Sequence, residues 1–166
     1  MGTDFAMEVC QLADADATRA LGRRLAGRLL ERGLAPPPLL LLQGDLGAGK
    51  TCLVQGLAEG LGIHEPITSP TFALAHHYRG ETAESASLPV PTALVHLDLY
   101  RLEQPAAAAE LFAQEEEEAR ALGAVLAVEW PERLAFLPEP CWRVELVIAG
   151  EGRVARLFGA GIGGVS

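Results

Sequence analysis

The segment GDLGAGKT, Gly44 to Thr51, has residue types and spacing suited to holding the phosphates of a nucleotide, in the pattern G-x-x-x-x-G-K-[ST]. Glycine permits the backbone torsions that turn successive N–H groups towards phosphate oxygens. Lys50 would bring a compact positive charge to the β- and γ-phosphates, and the Thr51 hydroxyl would bind Mg²⁺. Every other member of the 13 Lys and Arg residues is arginine, and a planar guanidinium would overfill this narrow site.

The neighbouring residues give this motif the surroundings it requires. The apolar run LLLLQ, Leu39–Gln43, predicts a buried parallel strand before the turn, and a helix is predicted from about Gly49 to Leu61. The alternative, a chance match in a glycine-rich chain, does not explain this placement. The residues predicted to contact a nucleoside triphosphate here are Gly44, Asp45, Leu46, Gly47, Ala48, Gly49, Lys50, Thr51 and Cys52.

Two further predicted strands end in acidic residues, as a Mg²⁺-dependent hydrolase requires. In LVHLDLYR, alternation places His96, Asp98 and Tyr100 on one face of the strand. In AVLAVEW, Glu129 ends a run that is apolar on both faces, typical of a central strand. Either carboxylate could hold Mg²⁺ while the other orders the attacking water; the alternative for each is a surface acid or a cap. We interpret His96 as a hydrogen-bonded structural group rather than a base.

Composition and charge narrow the classes of protein. The 166 residues, 49% of them hydrophobic, predict one globular domain over residues 1–166. The net charge of −9 argues against broad contact with DNA or tRNA. We expect a soluble cytoplasmic protein with no membrane contact, because no signal peptide or apolar run of ~20 residues is present. The scattered cysteines predict reduced thiols rather than a zinc site.

The remaining pattern alternates strands and helices. Residues 7–12 predict a strand, and the helix that follows would be capped by Asp14 or Asp16 and end near Arg32, before Gly33. The segment EPITSPTF predicts a loop. Strands are predicted at 72–78, 92–100 and 124–129, a helix at 105–122, and a closing hairpin at 141–149 and 153–160. This alternation predicts an α/β fold with a mixed sheet and helices on both of its faces.

Two charged helix faces are expected to lie in solvent. One carries Arg24, Arg28 and Arg32, for which a nucleotide or partner contact is the alternative. The other is the run Glu115–Glu118 in the helix that Pro105 begins.

Four segments together give the chain a specific family resemblance. GDLGAGKT, ITSPTF, HLDLYRLE and VEWPERL, in this order and at these separations, closely resemble the bacterial TsaE (YjeE) family, the small ATPase of tRNA threonylcarbamoyladenosine biosynthesis. The resemblance covers roughly residues 10–156. It implies a P-loop NTPase-like three-layer sandwich with a mixed, largely parallel sheet.

The resemblance also implies an activity and its residues. Family members bind ATP with Mg²⁺ and hydrolyse it slowly to ADP, and their activity depends on the TsaB–TsaD heterodimer, in which TsaD modifies adenosine 37 of tRNAs reading ANN codons. Any link to tRNA would therefore be indirect. Thr51 and Glu129 would ligate Mg²⁺, and Asp98 would be the acid needed for hydrolysis. Further nucleotide contacts would come from Thr18, Thr71 in the switch-like TSPTF loop, Trp130 and Arg153.

The chain departs from the family pattern in two segments. The helix after LYRL is rich in alanine and glutamate, and the loop 79–91 is long and polar; both could be partner surfaces. Two other functions remain as alternatives: a small-molecule kinase, for which no arginine-rich lid is evident, and a nucleotide-sensing module with negligible hydrolysis.

Overall fold

The structure is a computed structural model that describes residues 7–31, 38–69, 74–80 and 93–159. The predictions for Arg32, Gly33, Pro70, Thr71 and Phe72 lie outside the described residues. In chain order the elements are β1 (Glu8–Leu12), α1 (Ala15–Leu30), β2 (Leu39–Gln43), α2 (Lys50–Gly60), β3 (Ala75–Arg79), β4 (Ala93–Asp98), α3 (Pro105–Leu122), β5 (Ala124–Glu129), a 3₁₀ turn (Pro131–Arg133), β6 (Trp142–Ala149) and β7 (Gly152–Phe158).

The described strands form one sheet in the order β1-β7-β6-β2-β5-β4-β3. Strand β2 runs parallel to β5 and β6, and β4 runs parallel to β5. Because β7 is antiparallel to both β1 and β6, β1 has the same direction as β6. Only β3, antiparallel to β4, and β7 run the other way among these strands. The mixed, largely parallel sheet is confirmed.

Burial explains which strands occupy the centre. All six residues of β4 and of β5 are buried, as are the four leucines of β2, so these strands need apolar side chains on both faces. By contrast, β1 is an edge strand, in which half-buried and exposed residues alternate up to the buried Leu12. The predicted central position of the strand ending in Glu129 is confirmed by the pairing of β5 with β2 and β4.

Helices cover both faces of the sheet, which confirms the three-layer α/β class. Helices α1 and α2 pack with one set of sheet residues, including Leu40, Leu42 and Val144. Helix α3 contributes Phe112 and Ala119 to a second cluster on the opposite face. The predicted alternation along β4 also holds, since Val95, Leu97 and Leu99 belong to this second cluster.

Glycines on α1 and α2 face the backbone of the other helix where the two helices pack. A Cβ added at Gly56 would lie 2.0 Å from the Arg19 carbonyl oxygen, and one added at Gly22 would lie 2.3 Å from the Leu53 carbonyl oxygen. Glycine therefore permits a backbone-to-backbone contact between α1 and the middle of α2.

The expectation of a solvated glutamate face needs correction at Glu115, whereas the arginine face is exposed at Arg24 and half-buried at Arg28. In α3, Glu115 is buried and its Oε1 lies 2.6 Å from His77 Nε2 on the edge strand β3. In α1, Arg24 and Arg28 both donate to the Glu8 carboxylate of β1, with 2.7 Å between Arg28 Nη2 and Glu8 Oε1. Tertiary packing brings each group a partner that lies far away in the sequence.

Several element ends differ from the prediction by one to three residues. Helix α1 ends at Leu30, with Glu31 as its C-cap, and α2 begins at Lys50 rather than Gly49. The strand predicted to reach Tyr100 ends at Asp98, because the Tyr100 N–H turns back to the Asp98 carboxylate. Asp14 is the N-cap of α1, accepting from the Ala17 N–H at 2.9 Å.

Candidate functional site

The glycine-rich segment forms a loop between β2 and α2, as the sequence predicts. Gly47 and Gly49 have φ values of 83° and 106°, in the region that glycine favours. The Ala48 N–H donates to the Asp45 carbonyl across the turn at 3.0 Å. Since Gly49 is the N-cap of α2 and has no capping side chain, the free N–H groups and positive dipole end of this helix are available to an anion.

Lys50 is held against this loop and is 5% exposed. Its Nζ donates to the Gly44 carbonyl, lies 3.5 Å from the Asp45 carbonyl, and is 4.0 Å from the centre of the Trp130 ring. Burial lowers the pKa of this ammonium, and Glu129 is the largest influence in the opposite direction. The loop carbonyls and the aromatic face stabilise a positive charge in a confined place.

A cleft of about 300 Å³ opens beside Lys50 at the carboxyl ends of β4 and β5. Its walls come from the loop, from the start of α2 and from the residues that end these two strands. The lining residues are Leu46, Gly47, Gly49, Lys50, Thr51, Cys52, Ser69, Asp98, Tyr100, Glu129 and Trp130. The phosphate-binding motif and both predicted acids are therefore brought to one site.

The Glu129 carboxylate joins three elements within this site. Thr51 Oγ1, in the first turn of α2, donates to Glu129 Oε2 at 3.3 Å. His96 Nε2, on β4, lies 2.6 Å from the same oxygen. Glu129 is 3% exposed and His96 is fully buried, so the contact between them is shielded from water.

Asp98 is the neighbour of Glu129 across the parallel pair β4–β5. It is 5% exposed, and its Oδ1 accepts the Tyr100 N–H at 2.9 Å. Burial raises the pKa of Asp98 above its ordinary value, and the Tyr100 N–H partly opposes this shift. The two acids therefore differ in their contacts, because only Glu129 is in contact with the Thr51 hydroxyl.

Trp130 turns the chain sharply at the end of β5. Its φ of 60° is rare for a bulky residue and costs on the order of 1 kcal/mol or more. The indole packs 4.8 Å from the Tyr100 ring, centre to centre, as well as on Lys50. Arg133 fixes the other end of this stack, with its Nε donating to the Tyr100 carbonyl at 3.1 Å.

A smaller cavity of about 230 Å³ shares Gly49 and Cys52 with the main cleft. Thr18 and Arg153 line it, and Arg153 Nη2 also donates to the Gly47 carbonyl at 2.9 Å. Both residues that the family resemblance marks for base or ribose contacts therefore lie beside the phosphate loop. The hydrogen bond also connects the β6–β7 hairpin to that loop.

Three of the predicted loop residues do not line the main cleft. Gly44 and Asp45 line a groove towards β6 rather than the main cleft, and Ala48 is fully buried. Thr71 lies outside the described residues. Two lining residues, Ser69 and Tyr100, were not predicted as site residues. A signal existed for each, since Ser69 belongs to TSPTF and Tyr100 shares a face with Asp98.

The chemistry of the donor atoms fits a hard divalent cation. Thr51 and Glu129 offer a hydroxyl and a carboxylate oxygen 3.3 Å apart, with the Asp98 carboxylate on the same cleft. Within the part of the chain that the structure describes, no group of three or more His, Cys, Asp or Glu could hold a metal ion. Magnesium suits such a sparse set, because it keeps several waters and takes other ligands from substrate phosphates.

A phosphate-binding loop after a central parallel strand, in a sheet covered by helices on both faces, defines the class of P-loop NTPase-like proteins. A crystal structure of YdiB from Bacillus subtilis supports this class: it matches with a TM-score of 0.65 at 25% identity, over 97% of this chain and 90% of that one. The family model for the threonylcarbamoyl adenosine biosynthesis protein TsaE matches residues 12–156, and the chain belongs to this family.

Curated relatives agree with this assignment. The chain is 41% identical to the tRNA threonylcarbamoyladenosine biosynthesis protein TsaE of Nostoc sp. over 141 residues, covering 85% of this chain and 78% of the relative. It is 46% identical to the Synechocystis sp. protein of the same name, over 76% and 72% of the two chains.

Among the described residues, none of the helices is both long and apolar enough to cross a membrane.

Proposed function

We propose that this chain is a P-loop ATPase that binds ATP with Mg²⁺ and hydrolyses it to support threonylcarbamoyladenosine formation at position 37 of tRNAs reading ANN codons. One observation carries the proposal: Lys50, Thr51, Asp98 and Glu129 line a single cleft beside the loop. The family membership of residues 12–156 connects this cleft to tRNA modification.

The loop and Lys50 would bind the triphosphate. Backbone N–H groups at the start of α2 provide fixed donors, and the Lys50 ammonium provides the charge for the β- and γ-phosphates. Trp130 would restrict the motion of this ammonium, because its ring lies 4.0 Å from Nζ. Thr18 and Arg153 would contact the base or ribose from the adjoining cavity.

Thr51 and Glu129 would hold Mg²⁺, because their oxygens are the pair already in contact. When bound, the ion neutralises charge that develops on the phosphate oxygens. Asp98 lines the same cleft without sharing that contact, so it would orient the attacking water, either directly or as a more distant ligand of the ion. Its own position is fixed by the Tyr100 N–H at 2.9 Å.

TsaB and TsaD would be the partners, with tRNA reached through them. The net charge of −9 supports an indirect role towards tRNA, because a phosphate backbone repels an acidic surface. This assignment also implies a cytoplasmic location.

Hydrolysis of ATP labelled at its γ-phosphate tests the proposal against both alternatives. With Mg²⁺ present, we expect inorganic phosphate to be released slowly by the chain alone and faster once purified TsaB–TsaD is added. Label found in a small organic acceptor would identify a kinase instead. Intact bound ATP, with no stimulation by TsaB–TsaD, would identify a nucleotide sensor.

A further inference from the structure

His96 is a polar residue in β4, a strand whose residues are all buried, and packing alone does not require a histidine at this position. Both neighbours in the strand, Val95 and Leu97, are apolar core residues, and its paired residue on β5 is Ala127. An apolar side chain at this position would complete the core at lower cost, because a buried polar group must find a partner. The partner of His96 is Glu129 Oε2, at 2.6 Å.

The hydrogen-bond roles in this contact follow from what a cation requires of Glu129. A carboxylate that binds a cation is ionised and can only accept, so in that form of the site Nε2 is the donor and Glu129 Oε2 the acceptor. Within the described part of the chain, the other ring nitrogen, Nδ1, has no hydrogen-bond partner. Among the described residues, the one hydrogen bond of this imidazole is therefore the bond to Glu129 Oε2.

That oxygen is also the one that receives the Thr51 hydroxyl, at 3.3 Å. Among the described residues, both hydrogen bonds to the carboxylate fall on Oε2. Oε1 is consequently the oxygen that can face a ligand without first losing an intramolecular bond. Two donors, from β4 and from α2, thus fix the side chain at the end of β5.

We propose that His96 is a positioning residue for the site: its Nε2–H fixes the Glu129 carboxylate beside Thr51 in the orientation that accepts a divalent cation. The inference rests on the proposed function, because it assigns that cation to Thr51 and Glu129. An outer partner that orients a ligating carboxylate typically changes metal affinity by about 10–100-fold.

Two amide variants that differ by one methylene test this role. The Gln amide nitrogen in His96→Gln reaches about as far as Nε2, whereas that in His96→Asn ends near the Nδ1 position. Binding of Mn²⁺ to the ADP-bound full chain is measured by electron paramagnetic resonance, and ADP affinity is measured separately in EDTA. We expect His96→Asn to weaken Mn²⁺ binding at least about tenfold and His96→Gln less than about threefold, with metal-free ADP affinity unchanged in both.

The matched control is His76→Gln, since His76 is the register partner of His96 on β3 and contacts Tyr78 rather than Glu129. It should leave Mn²⁺ binding unchanged. Equal Mn²⁺ affinity in the Asn and Gln variants overturns the positioning role while leaving the proposed function intact. If the unsubstituted chain with ADP binds no Mn²⁺, the proposed function fails and the inference fails with it.

A measurement on the unsubstituted chain keeps the test independent of whether the Asn variant folds. Long-range ¹⁵N–¹H NMR distinguishes the ring nitrogen of His96 that carries hydrogen. We expect a hydrogen on Nε2, both in the free chain and with Mg²⁺ and ADP added. A hydrogen on Nδ1 alone would overturn the proposal, because Nε2 could not then donate to Glu129.

Discussion

The two walls of the cleft are built in different ways. One wall, the loop and Lys50, comes from a single continuous segment at the junction of β2 and α2, in which Gly47 and Gly49 adopt the left-handed φ values that glycine favours. The other wall contains Asp98 and Glu129, which belong to different strands and meet only because β4 pairs with β5. The first wall is encoded locally, whereas the second depends on the register of the sheet and on buried contacts such as that between His96 and Glu129.

Because the two walls are built differently, substitutions in them should impair the site in different ways. Removing the Lys50 charge from the first wall should abolish productive phosphate binding while the fold is retained. Substitutions in the acidic wall should instead separate metal dependence from nucleotide binding.

Replacing Lys50 should have the largest effect on turnover. Lys50→Ala removes the charge predicted to meet the β- and γ-phosphates, and we expect ATP hydrolysis to fall at least about 100-fold. Steady-state phosphate release measures this loss. Arg156→Ala, a change at an exposed cation on β7, should leave the rate unchanged. Undiminished ATP affinity and turnover in Lys50→Ala would refute the assignment of the loop.

The two acids should respond differently to removal. We expect Glu129→Ala to raise the Mg²⁺ concentration for half-maximal hydrolysis about tenfold or more, because it removes a ligand next to Thr51. Asp98→Ala should lower kcat about 100-fold with a smaller change in Mg²⁺ requirement. A Mg²⁺ titration of both variants gives the comparison. The reverse order of Mg²⁺ requirement would exchange the roles of the two residues.

Gly56, at the contact between α1 and α2, and Gly27, on an open face of α1, form a matched pair of helix glycines. Gly56→Ala would place a Cβ 2.0 Å from the Arg19 carbonyl oxygen, so we expect a loss of unfolding free energy of about 1–3 kcal/mol. Gly27→Ala in α1 meets nothing within 4 Å and should stabilise by about 0.5–1 kcal/mol. Denaturant unfolding monitored by circular dichroism measures both. Equal stability of the two variants would contradict the close packing of α1 on α2.

The smallest effect is expected at Glu8, far from the cleft. Hydrogen bonds from Cys10, Arg28 and Arg24 lower the Glu8 pKa from 4.5 to about 2. Its folded-state pKa lies below the unfolded one, so the stabilisation is complete above pH about 4.5 and is lost as the pH falls towards 2. The Glu8 side chain is 29% exposed, so solvent screens its contacts with Arg24 and Arg28. Their contribution to the free energy of unfolding is therefore only about 1 kcal/mol.

The difference in unfolding free energy between the unsubstituted chain and Glu8→Gln measures this contribution. It should be present at pH 7 and shrink as the pH is lowered towards 3. Glu117→Gln, at an exposed position on α3, is the matched control and should show no such trend. A Glu8→Gln difference that does not change with pH would contradict the predicted shift.

The sequence predicted the wall formed by the loop and Lys50 more fully than the wall that contains Asp98 and Glu129. The loop, β2 and the start of α2 are contiguous, so glycines, a leucine run and one lysine were sufficient to place them. Asp98 and Glu129 were predicted as strand ends, but their contacts were not, because residues alone do not give the β4–β5 register. Only the structure shows that Thr51 and His96 meet the same Glu129 oxygen.

The same limit explains why the burial of Glu115 and the ion pairs of Arg24 and Arg28 were not predicted. Glu115 lies in a run of four glutamates, and nothing local distinguishes it from its neighbours. Its buried carboxylate has His77 as a partner, which is brought close by the antiparallel pairing of β3 with β4. Likewise, Arg24 and Arg28 find Glu8 only because α1 packs beside β1. Long-range pairing, rather than helix propensity, decides these positions.

Calorimetric titration of ATP into the full chain, with Mg²⁺ and then with EDTA, tests most directly whether the two walls form one ATP–Mg²⁺ site. We predict binding of one ATP per chain with Mg²⁺ present and affinity at least about tenfold weaker in EDTA. Absence of ATP binding under both conditions, or an ATP affinity that does not change with Mg²⁺, would show that the two walls do not form one ATP–Mg²⁺ site.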